Sequence, residues 1–334
     1  MKAAAPRVIP IRVLLPPRCL LLDVAGPLEV LRRANIEQSA VRFDVRCIAV
    51  RPQLTSSIGL ELGALDPLPE TLSEDTTLVV SGAVDAIDFS DTVIDTATMR
   101  ADEARIVDWL CSTVGPQHRL ITICSGALLA ARAGLLDGHA CTTHFACCAE
   151  LAELAPLARV VENRLHVEDG QRWSSAGVTA GIDLMLHLVE RHTSAACAQA
   201  VARQLVIYLR RAGGDPQLSA WLDGRNHIHP AVHHAQDAIA ADPAADWTLA
   251  RLARIANTST RHLSRLFNEH AGMSLSDYLN RLRVGIAREL LAGTRLDMEH
   301  VAERSGFAST RQLRRAWRRL YDEPPHAVRP KALH

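Results

Sequence analysis

Ser259-Thr260-Arg261-His262-Leu263-Ser264-Arg265-Leu266-Phe267 and Ser309-Thr310-Arg311-Gln312-Leu313-Arg314-Arg315-Ala316-Trp317 are two copies of one pattern, 50 residues apart. Ala253 and Ala302 match at an offset of 49, so one residue is inserted near Gly306-Phe307. Each copy reads as a short amphipathic helix, a polar turn and a second helix, the pattern of a helix-turn-helix. In the first copy Leu263, Leu266 and Phe267 recur at i, i+3, i+4 and hold the second helix to its partner. Arg261, His262, Ser264, Arg265 and Asn268 are left outward. In the second copy Leu313, Ala316, Trp317 and Leu320 face in, while Arg311, Gln312, Arg314, Arg315, Arg318 and Arg319 face out or flank. An arginine fork bonds guanine bidentately in the major groove, and further cations bond phosphate. Between the copies Leu275, Leu279, Leu282, Ile286 and Leu290 mark one long helix that fixes their separation. A plain helical bundle with solvated arginines is the alternative, and the matched pair of copies speaks against it.

The surrounding charge agrees. From Asn226 onward there are 16 Lys and Arg against 11 Asp and Glu. The chain is neutral in total, so the preceding part is acidic by the same margin. Such asymmetry suggests a basic module with a polyanionic partner joined to an acidic one. The acidic part alternates strand and helix signals. Val8–Leu15, Val41–Cys47, Leu78–Val80 and Leu120–Ile123 read as strands, the second alternating strictly. Asp102–Cys111, Ala127–Ala133 and Gly181–Glu190 read as helices. Strands separated by helices favour a layered α/β domain with a mostly parallel sheet. Arg210-Arg211-Ala212-Gly213-Gly214-Asp215-Pro216 reads as a domain edge, and after Pro230 only helix signals remain.

The length of 334 residues is itself a prior for two domains, at roughly 150 residues each. With 48% apolar and 22% charged residues, disorder and fibrous repeats are excluded. No stretch approaches the roughly 18 uninterrupted apolar residues of a membrane span. Pro6, Arg7, Pro10 and Arg12 break up any signal-peptide core. The eight cysteines contain no CxxC pair and no secreted framework. The expectation is a reduced, cytoplasmic protein with no membrane partner.

The last hundred or so residues resemble the AraC/XylS-type DNA-binding domain, two helix-turn-helix units joined by a long helix. The matching residues end in Gly306-Phe307, Ser309, Leu313, Arg315, Trp317, Pro324-Pro325-His326 and Arg329. Trp317 stands where Phe is usual, and Val328 where a Tyr usually precedes the Arg. The resemblance implies groove contacts from Arg261, His262 and Arg265 in the first unit. In the second it implies Thr310, Arg311, Gln312 and Arg315.

The N-terminal part resembles the flavodoxin-like class I glutamine-amidotransferase-like (ThiJ/PfpI) fold. The whole chain resembles the GlxA-type regulators, which fuse that fold to an AraC-type domain. The resemblance rests on Leu22–Val30, Cys124–Ala127, Ala133–Gly138, Thr142-Thr143-His144 and Ser175–Asp183 in the expected order. Asp215 and Leu218 replace a usual Gln and Phe near the Gly-Gly segment.

Cys124 ends a strand and opens a helix, where backbone N–H groups and the helix dipole favour a thiolate. By resemblance, His144 is the nucleophile's partner, and isonitrile hydratases of this superfamily also use an Asp like Asp23 and a hydroxyl like Ser125. A Cys–His pair near a carboxylate is a nucleophilic site. The same corner of an α/β sheet also binds ligands without reacting, and a purely structural elbow is the third reading. The expected ligand pocket is Asp23, Gly26, Cys124, Ser125, His144, Ser175 and Gly177, with no catalytic residue, metal or cofactor.

Two weaker features stand beside it. His227, His229, His233 and His234 form a tract that could bind zinc, read here as a solvated linker. Cys141, Cys147 and Cys148 read as buried small hydrophobes.

The expected architecture is an α/β sensing and oligomerisation domain over 1–212, a linker over 213–229 and an all-α DNA-binding domain over 230–334. The expected function is a sequence-specific transcriptional regulator, an activator answering to a small metabolite. Its partners are double-stranded promoter DNA, a small-molecule effector, a second copy in a homodimer or higher oligomer and, by resemblance only, RNA polymerase. The alternative is an amidotransferase-like or isonitrile-hydratase-like Cys-dependent enzyme carrying a DNA-binding domain.

Overall fold

The structure, a computed structural model, describes residues 5–84, 96–207, 210–215, 217, 224–225, 227, 229–321 and 323–329. It divides into two units, 1–217 and 218–334.

In chain order the first unit runs β1 (Arg7–Leu14), α1 (Leu21–Glu37), β2 (Val41–Ala49), a ribbon of β3 (Leu54–Thr55) and β4 (Glu61–Leu62), β5 (Asp66–Pro67) and β6 (Thr77–Val80). Next come α2 (Thr96–Thr113), β7 (Arg119–Ile123), α3 (Gly126–Arg132), β8 (Ala140–Cys141), α4 (Cys148–Leu154) and β9 (Arg159–Val160). The antiparallel pair β10 (His166–Asp169) and β11 (Arg172–Ser175) leads into α5 (Thr179–His192) and α6 (Ala195–Gln204). Seven strands form one sheet in the order β10-β11-β7-β6-β1-β2-β5, parallel except at β10.

Both faces of the central strands are buried, and their two-residue period divides the side chains between two cores. Ile9, Ile11 and Val13 of β1, Val79 of β6 and Ile121 and Ile123 of β7 join the core under α1, α5 and α6. Leu14, Leu78, Val80 and Leu120 point the other way, to Ile106 and Leu110 of α2, the alanines of α3 and Leu151 of α4. Helices on both faces of a parallel sheet place the strands' carboxyl ends in a crevice. The order reverses between β1 and β6, the switch point where such sheets bind ligands. The four sequence strands are all present. Asp102–Cys111 is the later part of the longer α2, and the edge pair β10–β11 was not foreseen. The segment at 213–217 is hydrogen-bonded to this unit: Gly213 and Asp215 carbonyls accept from His166 and Leu165, and Gln217 donates to Thr143. Pro216 and Leu218 lie outside the described residues.

The second unit is helical: α7 (Pro230–Ala241), α8 (Leu249–Ile255), α9 (Thr260–Ala271), α10 (Leu275–Gly293), α11 (Met298–Arg304) and α12 (Thr310–Trp317). The two helix-turn-helix copies are α8–α9 and α11–α12. Ser259 and Ser309 cap the second helix of each, their hydroxyls accepting from the N–H of His262 and Gln312. The second turn is one residue longer, and positive φ falls on Asn257 in the first and Gly306 in the second. Trp317 is buried, and its indole N–H donates to the Glu323 carbonyl, so the unusual aromatic has its polar handle satisfied.

The long helix differs from expectation in one respect. Tyr278, Leu279 and Leu282 pack with the first copy, as Val284, Ala287 and Leu291 do with the second. Ile286 and Leu290 are only half-buried. A helix that serves two cores must change its buried face partway along, which a single stripe cannot describe. The histidine tract is also corrected. His227, His229 and His233 are half-buried rather than solvated, with ring centroids 4.5 Å apart for His227–His233 and 4.6 Å for His229–His270. Packing of α7 on α9 brings them in. Among the described residues no group of three His, Cys, Asp or Glu could hold a metal ion, and no helix is long and apolar enough to cross a membrane.

Candidate functional site

In the first unit, three strand ends converge at the switch point. Asp23 lies in the first turn of α1 after β1, Gly82 follows β6, and Cys124 follows β7. Cys124 adopts φ +55 and is immediately succeeded by Ser125 and α3, so the chain makes a sharp strand-to-helix elbow there. A non-glycine residue in that region is strained and must be held. Its N–H donates to the Ser175 carbonyl (3.0 Å), and its own carbonyl accepts from the Thr143 hydroxyl (2.8 Å). Ser125 Oγ accepts from the Ala83 N–H (2.9 Å) and donates to the Ala83 carbonyl (3.0 Å). Gly177, at φ +85, lies against Cys124 so closely that any Cβ would overlap it. Gly82 is equally confined, because a Cβ there would meet Asp23 Oδ2 at 2.6 Å and Cys124 Cβ at 2.8 Å.

Asp23 is 1% exposed, and its Oδ1 accepts from the Val178 N–H at 2.5 Å. Burial raises its pKa to about 6, against the opposing pull of the Val178 and Gly82 N–H groups and the Cys124 thiol. Burial and the neighbouring Asp23 charge push the Cys124 thiol up to about 12. The helix end by itself favours a thiolate, but desolvation and the Asp23 carboxylate outweigh it and hold the proton on Cys124 at neutral pH. His144 is half-buried, with its pKa lowered by burial. Its Nδ1 accepts from the Ala146 N–H (3.4 Å) and its ring lies against Phe145, with centroids 4.3 Å apart. No hydrogen bond joins His144 to Cys124.

The structure thus brings Asp23, Cys124, Ser125, Ser175 and Gly177 together. Gly26 stands apart: it packs α1 on α5, where a Cβ would meet Ile182 Cγ1 at 2.8 Å. Sequence reasoning missed Gly82, Thr143 and Val178. Ser81-Gly82 ends a strand, and Thr143 and Val178 stand inside stretches that carry the family resemblance.

Asp23 has a measurable consequence. Its folded pKa of about 6 lies above the roughly 3.9 of an unfolded Asp, so the folded state holds the proton more tightly. Stability from this group falls as pH rises from about 4 to 6, then stays level, a loss of about 2–3 kcal/mol. Asn at position 23 can still accept from Val178. Urea denaturation at pH 4 and pH 8 should find Asp23→Asn gaining that amount on wild type as pH rises. An unchanged difference would mean that Asp23 is not buried as a charge.

In the second unit Arg261, His262, Arg265, Arg311, Gln312 and Arg315 are exposed and Thr310 is half-exposed. Opposite them Leu263, Leu266 and Phe267, or Leu313, Ala316 and Trp317, are buried. Arg265 donates to Glu269 (2.8 Å). Gln312 Oε1 accepts from the Ala308 N–H (3.3 Å). The side chains of Arg261, Arg311, Arg314, Arg315 and Arg318 make no hydrogen bond or ion pair among the described residues. They form open cationic faces on α9 and along α12.

An α/β unit with a cysteine elbow, followed by a double helix-turn-helix, defines the class of the chain. Residues 11–191 match the DJ-1/PfpI family and 252–331 the helix-turn-helix domain. The chain belongs to the DJ-1/PfpI family and carries an AraC-type helix-turn-helix domain at its C-terminal side. It is similar to the HTH-type transcriptional regulator GbdR of Pseudomonas aeruginosa, 32% identical over 212 residues, covering 64% of this chain and 58% of that protein. The match to that regulator therefore spans little more than half its length. The HTH-type transcriptional regulator GlxA of Rhizobium meliloti is 28% identical over 316 residues, covering 93% of both chains. The isonitrile hydratase of Pseudomonas putida is 30% identical over 192 residues, covering 58% of this chain and 75% of that one.

Proposed function

We propose that the protein is a DNA-binding transcriptional regulator whose first unit senses a small metabolite. The observation that carries this is the pair of open arginine faces, on α9 and on α12, joined through α10. Relatives named as transcriptional regulators along nearly the full chain support it. Residues 1–212 form the sensing and oligomerising part, 213–229 the linker and 230–334 the DNA-binding part. Arg261, His262, Arg265, Thr310, Arg311, Gln312 and Arg315 contact promoter DNA. The chain acts as a homodimer or higher oligomer in the cytoplasm and activates through RNA polymerase. The elbow of Asp23, Cys124, Ser125, Ser175 and Gly177, with His144 at its rim, contributes to the effector site. Sensing needs differential affinity between two conformations and breaks no bond. A protonated thiol without a histidine partner favours that over catalysis.

Footprinting tests the DNA reading. Two recognition helices on one monomer should protect two patches about 10 bp apart, one helical turn of DNA. Arg315→Ala should cost about 1–3 kcal/mol and relax base preference in one patch. Arg265→Ala should act in the other patch and cost less, since its guanidinium must first leave Glu269. Loss in the same patch from both substitutions would rule out the geometry.

A further inference from the structure

On the β2 side of β1, the carboxyl edge of the sheet holds a cavity of about 410 Å³. Leu15, Pro17 and Arg18 after β1, Val50 and Arg51 after β2, and Met99 of α2 are among its walls. None of the elbow residues lines it. Two of its charged groups neutralise each other: Arg51 Nε donates to the buried Asp102 at 2.5 Å. Glu61 accepts from the Thr55 hydroxyl.

Arg18 is different. It is 9% exposed and its backbone stands at φ +55. Its Nε is buried without a partner, and its guanidinium makes no hydrogen bond or ion pair among the described residues. Burying part of a guanidinium with nothing to bond costs free energy. Such a cation, lining an open cavity, has no counter-charge among the described residues and can accept one from a ligand.

We propose that this cavity binds a small monocarboxylate, gripped by the Arg18 guanidinium with its apolar body against Leu15, Pro17, Val50 and Met99. The fork geometry of arginine suits a carboxylate's two oxygens. Asp102 and Glu61 in the same lining disfavour a dianion such as phosphate. The proposal deepens the sensing role above and rests on it for biological meaning, while the binding itself does not. A route to the elbow also exists. The Arg18 carbonyl accepts from Val84, Cys19 bridges to Ala83, and Ala83 is held on both its N–H and carbonyl by Ser125. A ligand that draws on Arg18 therefore draws on the turn that borders Cys124.

The test uses the full chain in thermal denaturation with hexanoate and benzoate, and with hexanol, benzyl alcohol and inorganic phosphate as controls. Wild type should be stabilised by at least one carboxylate and by none of the controls. Arg18→Gln should weaken that carboxylate's binding at least tenfold, with Arg18→Lys in between. Without ligand, Arg18→Gln should melt about 2–4 °C higher than wild type, because an unpaired buried cation has been removed. The proposal is overturned if neither carboxylate stabilises wild type, if phosphate does so through Arg18 in their place, or if Arg18→Gln melts lower. Promoter binding, read separately by mobility shift, should be unchanged in Arg18→Gln. A carboxylate effect in a chain that binds no promoter DNA would leave the cavity standing and remove the regulator reading.

Discussion

Raising the salt from about 50 to 200 mM should weaken the complex of the full chain with its promoter duplex by about 10³-fold. Each neutralised phosphate releases condensed counterions, so the logarithm of affinity falls linearly with that of salt, at about 0.9 per contact. The side chains of Arg261, Arg311, Arg314, Arg315 and Arg318 are exposed and bond nothing else among the described residues. With Arg265, freed from Glu269, they make about six contacts and a slope near −5. Neutralising Arg314 or Arg318 should lower the slope by about one unit and weaken all sequences alike. Arg315→Ala should change sequence preference as well. A flat salt dependence would mean that these faces do not meet a polyanion, and the assignment of the second unit would fall with it.

What was legible in the sequence follows from how local each signal is. Ser259 and Ser309 each cap a helix whose inward face recurs within two turns, so the paired copies could be read from nine residues apiece. The central strands were legible because burial on both faces leaves β-branched and leucine runs such as Leu78–Val80. The partition of α10 was not, because Ile286 and Val284 are equally apolar and only the second copy's position decides which is buried. Gly26 was assigned to a pocket by its neighbourhood in the chain, whereas its lack of a side chain lets α1 approach Ile182 of α5. The strand-to-helix elbow at Cys124 was legible, and the ionisation of its thiol was not. The elbow is local, but the carboxylate beside the thiol comes from Asp23, about a hundred residues earlier. Arg18 carried no signal at all. Nothing in Pro16-Pro17-Arg18-Cys19 distinguishes a solvated arginine from an enclosed one.

Cys124 should react with iodoacetamide about 10²-fold more slowly than a free cysteine at pH 7.4. A pKa of about 12, against roughly 8.5 for the free thiol, lowers the thiolate fraction about 3 × 10³-fold. The more basic thiolate is the better nucleophile and recovers about 30-fold of that loss. Peptide-resolved mass spectrometry can follow Cys124 beside exposed Cys111 in the same sample. The rate should climb about tenfold per pH unit with no plateau below pH 10. Asp23→Asn should raise it at pH 7.4, because after burial the Asp23 charge is the largest force holding the proton on. The same physics bears on function. A nucleophile held protonated at neutral pH by a neighbouring carboxylate, with no histidine bonded to it, is poorly placed to attack, so Cys124→Ser should retain promoter binding and an inducible reporter response. Rapid alkylation with a plateau near neutral pH would show an ionised thiol instead. Coupled with consumption of a candidate inducer by the purified wild type, that result would hand the elbow to the enzymatic reading.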